Sequence, residues 1–451
     1  MLALITARIS AEAITPSARA IAAAIGRMIT AGDLPPDTKL PTVRQLSRAL
    51  GVSPTTVSEA WRGLAAVGAI ETRGRNGTFV QLPTGPGGPR RYRRITQWHG
   101  RIAIDLSTGT PDPELLPNLG PAIASVGRQT LTTTYLDAPV LPELDELLRA
   151  DWPFPPEAMT VVDGAMDALD RVAQVVLRLG DRVVVEHPAF PPLLDLLDQL
   201  GCQVIGVDVG DDGLDPAALS EALALRPTAV FLQPRAHNPT GVAMSERRAA
   251  ELATILADSA AWVIEDDHAN EVSGAPLTSI GRWLPQRTVH VRSFSKSHGP
   301  DLRLAAVGGA GEVVEAVANR RLLGPGWSSR ILQHVLVQLL DSDETRQTLA
   351  AARATYDARR AALSDVLRGA GIEHPDGDGI NMWVAVEDER AALVLLASHG
   401  IGAAPGAPFQ TRPDRDFLRL TIGRLHERDI DHVAGVLVEA AGHPRARTET
   451  R

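Results

Sequence analysis

The stretch LPTVRQLSRALGVSPTTVSEAWRGLAAVGAIETRGRNGTFV, Leu40 to Val80, decides the N-terminal fold. Thr42-x-x-Gln45 has capping-box spacing: the threonine hydroxyl accepts from the third helical N–H, and the glutamine side chain accepts from the N–H of the cap. It predicts a helix that buries Val43, Leu46 and Leu50 and stops at Gly51. Ser53-Pro54 predicts a second start, with proline at the first helical position, where its missing N–H costs nothing. Val57, Trp61, Leu64 and Val67 then share one face, and only Gly51-Val52 separates the two helices. After Gly68 a short β pattern, Ala69 to Thr72, meets the glycine-rich Arg73-Gly-Arg-Asn-Gly77 and returns as Thr78-Phe-Val80. That is a two-stranded wing.

Upstream, a helical pattern from about Ser17 carries Ile21, Ile25, Met28 and Ile29 on one face and ends at Gly32. Helix, helix, tight turn, helix and wing describe a winged helix-turn-helix, whose third helix enters the major groove. A small helical interaction module is the alternative. Charge favours DNA: residues 1–94 hold 13 Lys+Arg against 5 Asp+Glu, whereas the remainder holds 32 against 49. The basic part attracts phosphate polyanions and the acidic part repels them. Residues 40–80 resemble the GntR superfamily DNA-binding domain over nearly its whole length. That resemblance implies DNA contacts at Arg44, Thr55, Thr56 and the wing residues Arg73, Arg75 and Gly77. Pro54 stands where that family usually has arginine, so one expected contact is missing.

Downstream, residues 83–89 read PTGPGGP, six of seven being Pro or Gly, which predicts a linker. It runs into Arg90, Arg91, Arg93 and Arg94, a cluster that either touches DNA backbone or is simply solvated. Short apolar strands then alternate with helices: Arg182–Glu186, Val204–Val209, Ala229–Gln233, Trp262–Glu265, Val289–Val291 and Leu304–Val307, with a helix over Ser245–Ala257. Repeated βα units predict an α/β domain with a mostly parallel central sheet, and function in such sheets gathers at the strands' C-terminal ends. The expected division is 1–82 winged helix, 83–100 linker, 101–441 α/β domain and 442–451 flexible tail. With 44% apolar residues, no run near the ~18 that a membrane span needs, and the single cysteine Cys202, a soluble protein of the reducing cytoplasm is expected.

Of 45 basic residues only Lys39 and Lys296 are lysines. Lys296 lies in Arg292-Ser-Phe-Ser-Lys-Ser-His298, just past a predicted strand, and a lysine of lowered pKa can condense with an aldehyde where arginine cannot. A phosphate-binding or salt-bridged lysine is the alternative. A pyridoxal phosphate (PLP) ring needs an acid at its nitrogen, which the strand-ending Glu265-Asp266-Asp267 can supply. It needs a donor at its ring oxygen, which Asn238 of His237-Asn-Pro-Thr-Gly241 can supply, though that sequence is also a plain turn. Its phosphate needs a helix N-terminus, hydroxyls and an arginine: Gly164-Ala165-Met166, Ser293 and Ser295, and Arg303. Its face needs a planar partner, Phe190, for which core packing is the alternative. No metal-ligand spacing stands out.

The order of these segments resembles the fold-type I PLP enzymes, the aspartate aminotransferase group, over roughly residues 101–440. The resemblance implies that Lys296 carries PLP as a Schiff base, that Asp266 pairs with the pyridine nitrogen and Asn238 with the ring oxygen. It also implies that Arg419 takes a substrate α-carboxylate, with a surface salt bridge as the alternative, and that Tyr135 reaches the neighbouring subunit's phosphate. His268 stands in place of the usual tyrosine two residues after the aspartate and titrates nearer neutrality, a departure that bears on ring electronics and turnover. Gly377-Asp-Gly-Ile-Asn381-Met-Trp383 is a glycine turn entering a strand, with Asn381 or Trp383 facing a ligand or Trp383 packing in the core. A winged helix joined to such a domain resembles the MocR subfamily of GntR regulators. That implies a homodimer that binds operator DNA and senses PLP or an amino compound. A PLP-dependent aminotransferase with an accessory DNA-binding arm is the rival reading.

Overall fold

The computed structural model describes the chain apart from residues 13–15, 31–32, 36, 67–68, 81–89, 96–101, 128–133, 135–136, 413 and 443–451. The linker 83–89, the stops Gly32 and Gly68, Val67, Tyr135 and nearly all of the tail lie outside the described residues. The chain divides into two compact units, one of Met1–Arg90 with Leu177–Arg182 and Leu194–Val204, the other of the remaining residues.

The first unit contains helices α1 (Leu2–Glu12), α2 (Ala18–Thr30), α3 (Val43–Leu50) and α4 (Pro54–Ala66), and the wing strands β1 (Ile70–Thr72) and β2 (Thr78–Val80). Both halves of the expected capping box form at α3, and Gly51 ends it in the left-handed conformation at φ 67°. Ser53 Oγ accepts from the N–H of Thr56 at 3.0 Å, so α4 starts at Pro54 as expected. The antiparallel wing pairs Ile70 with Val80 and Thr72 with Thr78. Ile21, Ile25, Leu46, Val57, Trp61, Leu64 and Val80 form one core, joined by Ile5 and Ile9 of α1. Helix α1 lies upstream of the pattern expected from Ser17 and was not among the expected elements, although Leu2, Ile5 and Ile9 carry helical spacing.

Residues 90–95, assigned to the linker from sequence, instead form helix α5 (Arg90–Ile95). The run of arginines hid the reason: Ile95 is buried in a cluster with Trp383, Ala404 and Phe409.

The second unit holds two sheets built from β3 (Ile104–Leu106), β4 (Ala158–Val162), β5 (Arg182–His187), β6 (Gln203–Gly210), β7 (Gly213–Leu214), β8 (Ala229–Leu232), β9 (Trp262–Asp267), β10 (Thr288–Ser293), β11 (Ala305–Gly309), β12 (Asn381–Ala385), β13 (Ile401–Pro405) and β14 (Phe417–Thr421). Eight strands run in the order β4-β11-β10-β9-β8-β5-β6-β7, and four in the order β12-β14-β13-β3. Strands β5, β8, β9 and β10 are mutually parallel, and β11 runs antiparallel between β10 and the edge strand β4. The sheet is therefore mostly parallel at its centre, and buried on both faces as the apolar strands require. Helix α6 (Gly120–Val126) and α7 (Pro142–Ala150) precede β4, and α8 (Ala165–Val176) follows it. Ser245 caps the expected helix Glu246–Ala257.

Candidate functional site

Strands β5, β8, β9 and β10 end on the same side of the sheet, because they are parallel, and deliver His187, Gln233, Asp267 and Ser293 there. Alternation along β9 sorts its three acids. Glu265 accepts from the Ser279 hydroxyl at 2.6 Å, the Ile280 N–H at 2.7 Å and His290 at 2.8 Å. Asp267 accepts from Arg235 at 2.5 Å and from the Asn270 N–H at 3.1 Å. Both are spent on structure. Asp266, between them, accepts from Gln233 Nε2 at 2.8 Å through Oδ2 and keeps Oδ1 buried without a partner.

Lys296 is half-buried, and its Nζ lies 2.6 Å from His268 Nδ1. The other nitrogen of His268 lies 3.0 Å from the carbonyl of Ala236, which can only accept. Nε2 therefore carries the proton, and Nδ1 accepts from the lysine. Burial first, then Lys296, push His268 well below the usual histidine range, so the ring stays neutral at physiological pH. With its one N–H held by a backbone carbonyl, His268 has no donor left to offer, unlike the tyrosine that the fold-type I pattern expects. Burial also lowers the Lys296 amine, with Asp266 opposing and Arg419 reinforcing the shift.

This direction fixes a pH dependence. Only the neutral amine attacks an aldehyde, and the neutral fraction grows with pH until the pKa is passed. The rate at which apoprotein takes up PLP is expected to rise with pH and level off below the ordinary lysine pKa of about 10.4. Stopped-flow growth of the visible absorption band measures it; a rate still climbing at that pH would contradict the buried-amine account.

Asn238 is buried, its N–H donates to Gln233 Oε1 at 2.8 Å, and its side-chain oxygen has no partner. Gly164 precedes α8 at φ +102°, and a Cβ there would meet Arg303 Nη2 at 2.9 Å. Arg303 also donates to the carbonyl of Asp163 at 3.1 Å, so its guanidinium lies against the start of α8, where the N–H groups of Ala165 and Met166 have no intrahelical acceptor. Ser293 is buried, and its hydroxyl accepts from the N–H of Ser295 at 3.3 Å. Arg171 pairs with Asp167 at 2.8 Å, and the buried Arg321 bridges both carboxylates at this helix start, Asp163 at 3.2 Å and Asp167 at 3.0 Å. Without these pairings they would oppose an anion. Phe190 is half-buried and lines a small cavity with Glu186, Gln233 and Asp266.

Arg419 on β14 is buried and donates to Asn381 Oδ1 at 3.1 Å and to the carbonyl of Ser107. Its guanidinium lies 5.5 Å from the ring centroid of Phe409. Burial pulls its pKa down to about 10, which still leaves it a cation at neutral pH. Among the described residues no carboxylate lies within ion-pair distance of it, so the surface salt bridge weighed from sequence does not form. Trp383 stacks on Phe417 at 4.7 Å within the core, and Asn381 alone of that pair reaches Arg419.

In the winged helix, Arg44 and Thr55 are exposed. Thr56 is half-buried, with its hydroxyl 2.8 Å from that of Ser53. Arg73 pairs with Asp37 at 2.9 Å and Glu71 at 3.1 Å, an exposed pairing that phosphate can displace. Gly77 lies at φ +106°, and a Cβ there would meet Lys39 Cε at 2.9 Å. Arg75 belongs to the one-turn helix at the wing tip, Gly74–Asn76, and its side chain lies outside the described residues. Sequence reasoning missed Lys39 at the wing, as it missed Gln233, Glu186 and Arg321. A lysine kept in an arginine-using chain was the available signal for the first.

A lysine, an acid with one unpartnered oxygen, an amide and an anion cradle meet at the C-terminal ends of parallel strands, where the fold-type I pattern places its site. The family "Aminotransferase class I and II" matches residues 101–437, and "Bacterial regulatory proteins, gntR family" matches residues 17–80. The chain belongs to the class I and II aminotransferase family and, with its gntR-family domain, to the MocR subfamily of GntR-type regulators. It is 34% identical over 422 residues to the vitamin B6 salvage pathway transcriptional repressor PtsJ of Salmonella typhimurium, covering 92% of this chain and 96% of that one. It is 30% identical to the HTH-type transcriptional regulator TauR of Rhodobacter capsulatus, covering 88% and 90%. Among solved structures it is similar to a Pyrococcus horikoshii kynurenine aminotransferase, at TM-score 0.70 and 23% identity, over 78% of this chain and 92% of that one.

Proposed function

We propose that this protein is a PLP-binding transcriptional regulator whose aminotransferase-like domain senses PLP or an amino compound and thereby sets operator affinity. The observation that carries the cofactor is the unpartnered, buried Oδ1 of Asp266 near the half-buried Lys296. Buried polar atoms are almost always paired, so an orphan at the end of a strand signals a group still to be bound. Asp266 would hold the pyridine nitrogen, Asn238 the ring oxygen, Phe190 the ring face, and Arg303, Ser293, Ser295 and the start of α8 the phosphate. Tyr135 would reach the phosphate of a second copy in a homodimer. When bound, PLP supplies an aldehyde for the Lys296 amine and an electron-withdrawing ring. Arg419 would take the carboxylate of an amino compound. The Salmonella relative is named a vitamin B6 salvage repressor, which supports a B6 compound as the signal. Arg44, Thr55, Thr56, Arg73, Arg75 and Gly77 would meet the operator. No helix among the described residues is long and apolar enough to cross a membrane, consistent with a cytoplasmic DNA-binding protein.

A ligand shifts DNA affinity only if it binds two arrangements of the protein unequally. Helix α5, the first element after the linker, supports a route. Ile95 packs against Trp383 and Phe409, and Phe409 underlies Arg419. A carboxylate that draws Arg419 inward moves the floor on which α5 rests. Ile95→Ala is therefore expected to keep the PLP absorption band and basal DNA affinity but to lose most of the ligand-induced change in affinity. An undiminished response in an anisotropy titration would eliminate this route.

A second reading, a PLP-dependent aminotransferase, is favoured by the completeness of the lysine, acid, amide and arginine set. The two readings part on turnover with a panel of amino acids and a keto-acid acceptor. The regulator reading expects no sustained conversion, because His268 has no free donor; steady turnover would select the enzyme.

A further inference from the structure

Gln233, the residue that follows β8, is buried and makes three hydrogen bonds to groups far from it in sequence or function. Its Nε2 donates to Asp266 Oδ2, its Oε1 accepts from the N–H of Asn238, and its own N–H donates to Glu186 Oε2, each at 2.8 Å. We propose that Gln233 is a positioning residue that locks the ring-nitrogen contact to the ring-oxygen contact, bridging two buried acids of which Asp266, not Glu186, carries the negative charge. The inference rests on the PLP reading above and goes beyond the residues assigned there.

The orientation of the amide is forced. A backbone N–H can only donate, so the N–H of Asn238 compels Oε1 to face it, and Nε2 must then face Asp266. A donated N–H favours the ionised carboxylate, which is the state a protonated pyridine nitrogen requires. Gln233 thus holds Asp266 and the backbone of Asn238 on the two ends of one rigid planar group. Moving one acceptor moves the other.

The charge assignment follows from the two acids that flank Gln233. Glu186 and Asp266 are both buried, and burial raises both, each against the pull of a hydrogen bond from Gln233. Asp266 also raises Glu186 directly, because two like charges in one buried site oppose each other. Asp266 has Lys296 and His290 nearby to favour its charge, with Asp267 opposing. Glu186 has only His237, 3.3 Å away, whose ring burial holds neutral. The proton therefore belongs on Glu186 and the charge on Asp266. A neutral amide in the middle serves both: it donates to the charged acid without adding a charge of its own, which a histidine or glutamate there would do at some pH.

The test uses the full chain, PLP itself and the visible band of the lysine-bound cofactor. Gln233→Leu keeps approximate size and removes both side-chain bonds. It is expected to weaken PLP binding by about 10- to 100-fold, the loss associated with one hydrogen bond to a charged group. It should also move upward the pH below which the bound band changes, because Asp266 loses its donor and protonates more readily. Gln233→Glu provides a second arm that does not depend on leucine being tolerated. A glutamate must be protonated to donate to Asp266, so its PLP affinity should fall as pH rises, while wild type does not follow that profile. Unchanged affinity and band titration in Gln233→Leu, or a wild-type pH profile in Gln233→Glu, would overturn the assignment. Failure of the wild type to take up PLP would instead overturn the cofactor reading, so the two failures are distinguishable.

Discussion

Lys296→Ala is expected to yield a folded protein that has lost the visible PLP band and any PLP-dependent change in DNA affinity. The covalent attachment goes outright, because no other lysine stands in the second unit: Lys39, the only other one, lies in the winged helix. Asp266, Asn238 and the Arg303 cradle remain, so weak, unattached PLP binding persists. Folding should not suffer. A buried amine whose pKa is held below its unfolded value makes folding less favourable as pH falls, since the unfolded chain binds the proton more readily. Removing that amine removes the cost, so the ligand-free variant should melt no lower than wild type, and its advantage should grow as pH falls from the ordinary lysine value of about 10.4 to about 8 and stay level below that. A retained visible band would mean that the aldehyde bonds elsewhere.

Trp61→Ala should do the opposite, destroying DNA binding while sparing PLP. Trp61 lies in the core that holds α2, α3, α4 and the wing together, with Leu46, Val57, Leu64 and Val80 around it. Truncating a buried tryptophan costs about 3 to 5 kcal/mol. Domains have only about 5 to 15 kcal/mol to lose. Operator affinity should therefore collapse on warming well before the PLP band fades, since none of the residues that would hold PLP belongs to this core. Parallel melts followed by anisotropy and by visible absorption check this; loss of both signals together would show that the two units do not fold independently.

The parts legible in the sequence were those written in local pattern. The Thr42–Gln45 box, Pro54, Gly51 and the apolar strands each state their own geometry within a few residues, and α3, α4, β5, β6, β8, β9, β10 and β11 follow them. Lys296 was legible because arginine fills nearly every other basic position. What stayed hidden depends on partners distant in the chain. Nothing in Glu265-Asp266-Asp267 says that Ser279 and His290 claim the first acid and Arg235 the third; only the fold shows that the middle one keeps an oxygen without a partner. Gln233 reads as the last residue of an apolar strand until Asp266 and Glu186 are placed beside it. Helix α5 was hidden differently: four arginines in six residues read as solvated linker, and the single apolar anchor, Ile95, finds its cluster nearly three hundred residues away. His268 was noticed as a departure, but its consequence required knowing that Ala236 occupies its one N–H.

The central claim is that PLP chemistry at Lys296 and operator binding by the winged helix are linked. Fluorescence anisotropy of a labelled fragment from the gene's own upstream region, titrated with protein at fixed salt with and without PLP, tests it most directly, because phosphate contacts make affinity depend on salt. The account predicts a PLP-dependent change in affinity that Lys296→Ala abolishes. Specific binding that neither PLP nor PLP with an amino compound alters, or no specific binding at all, would contradict it.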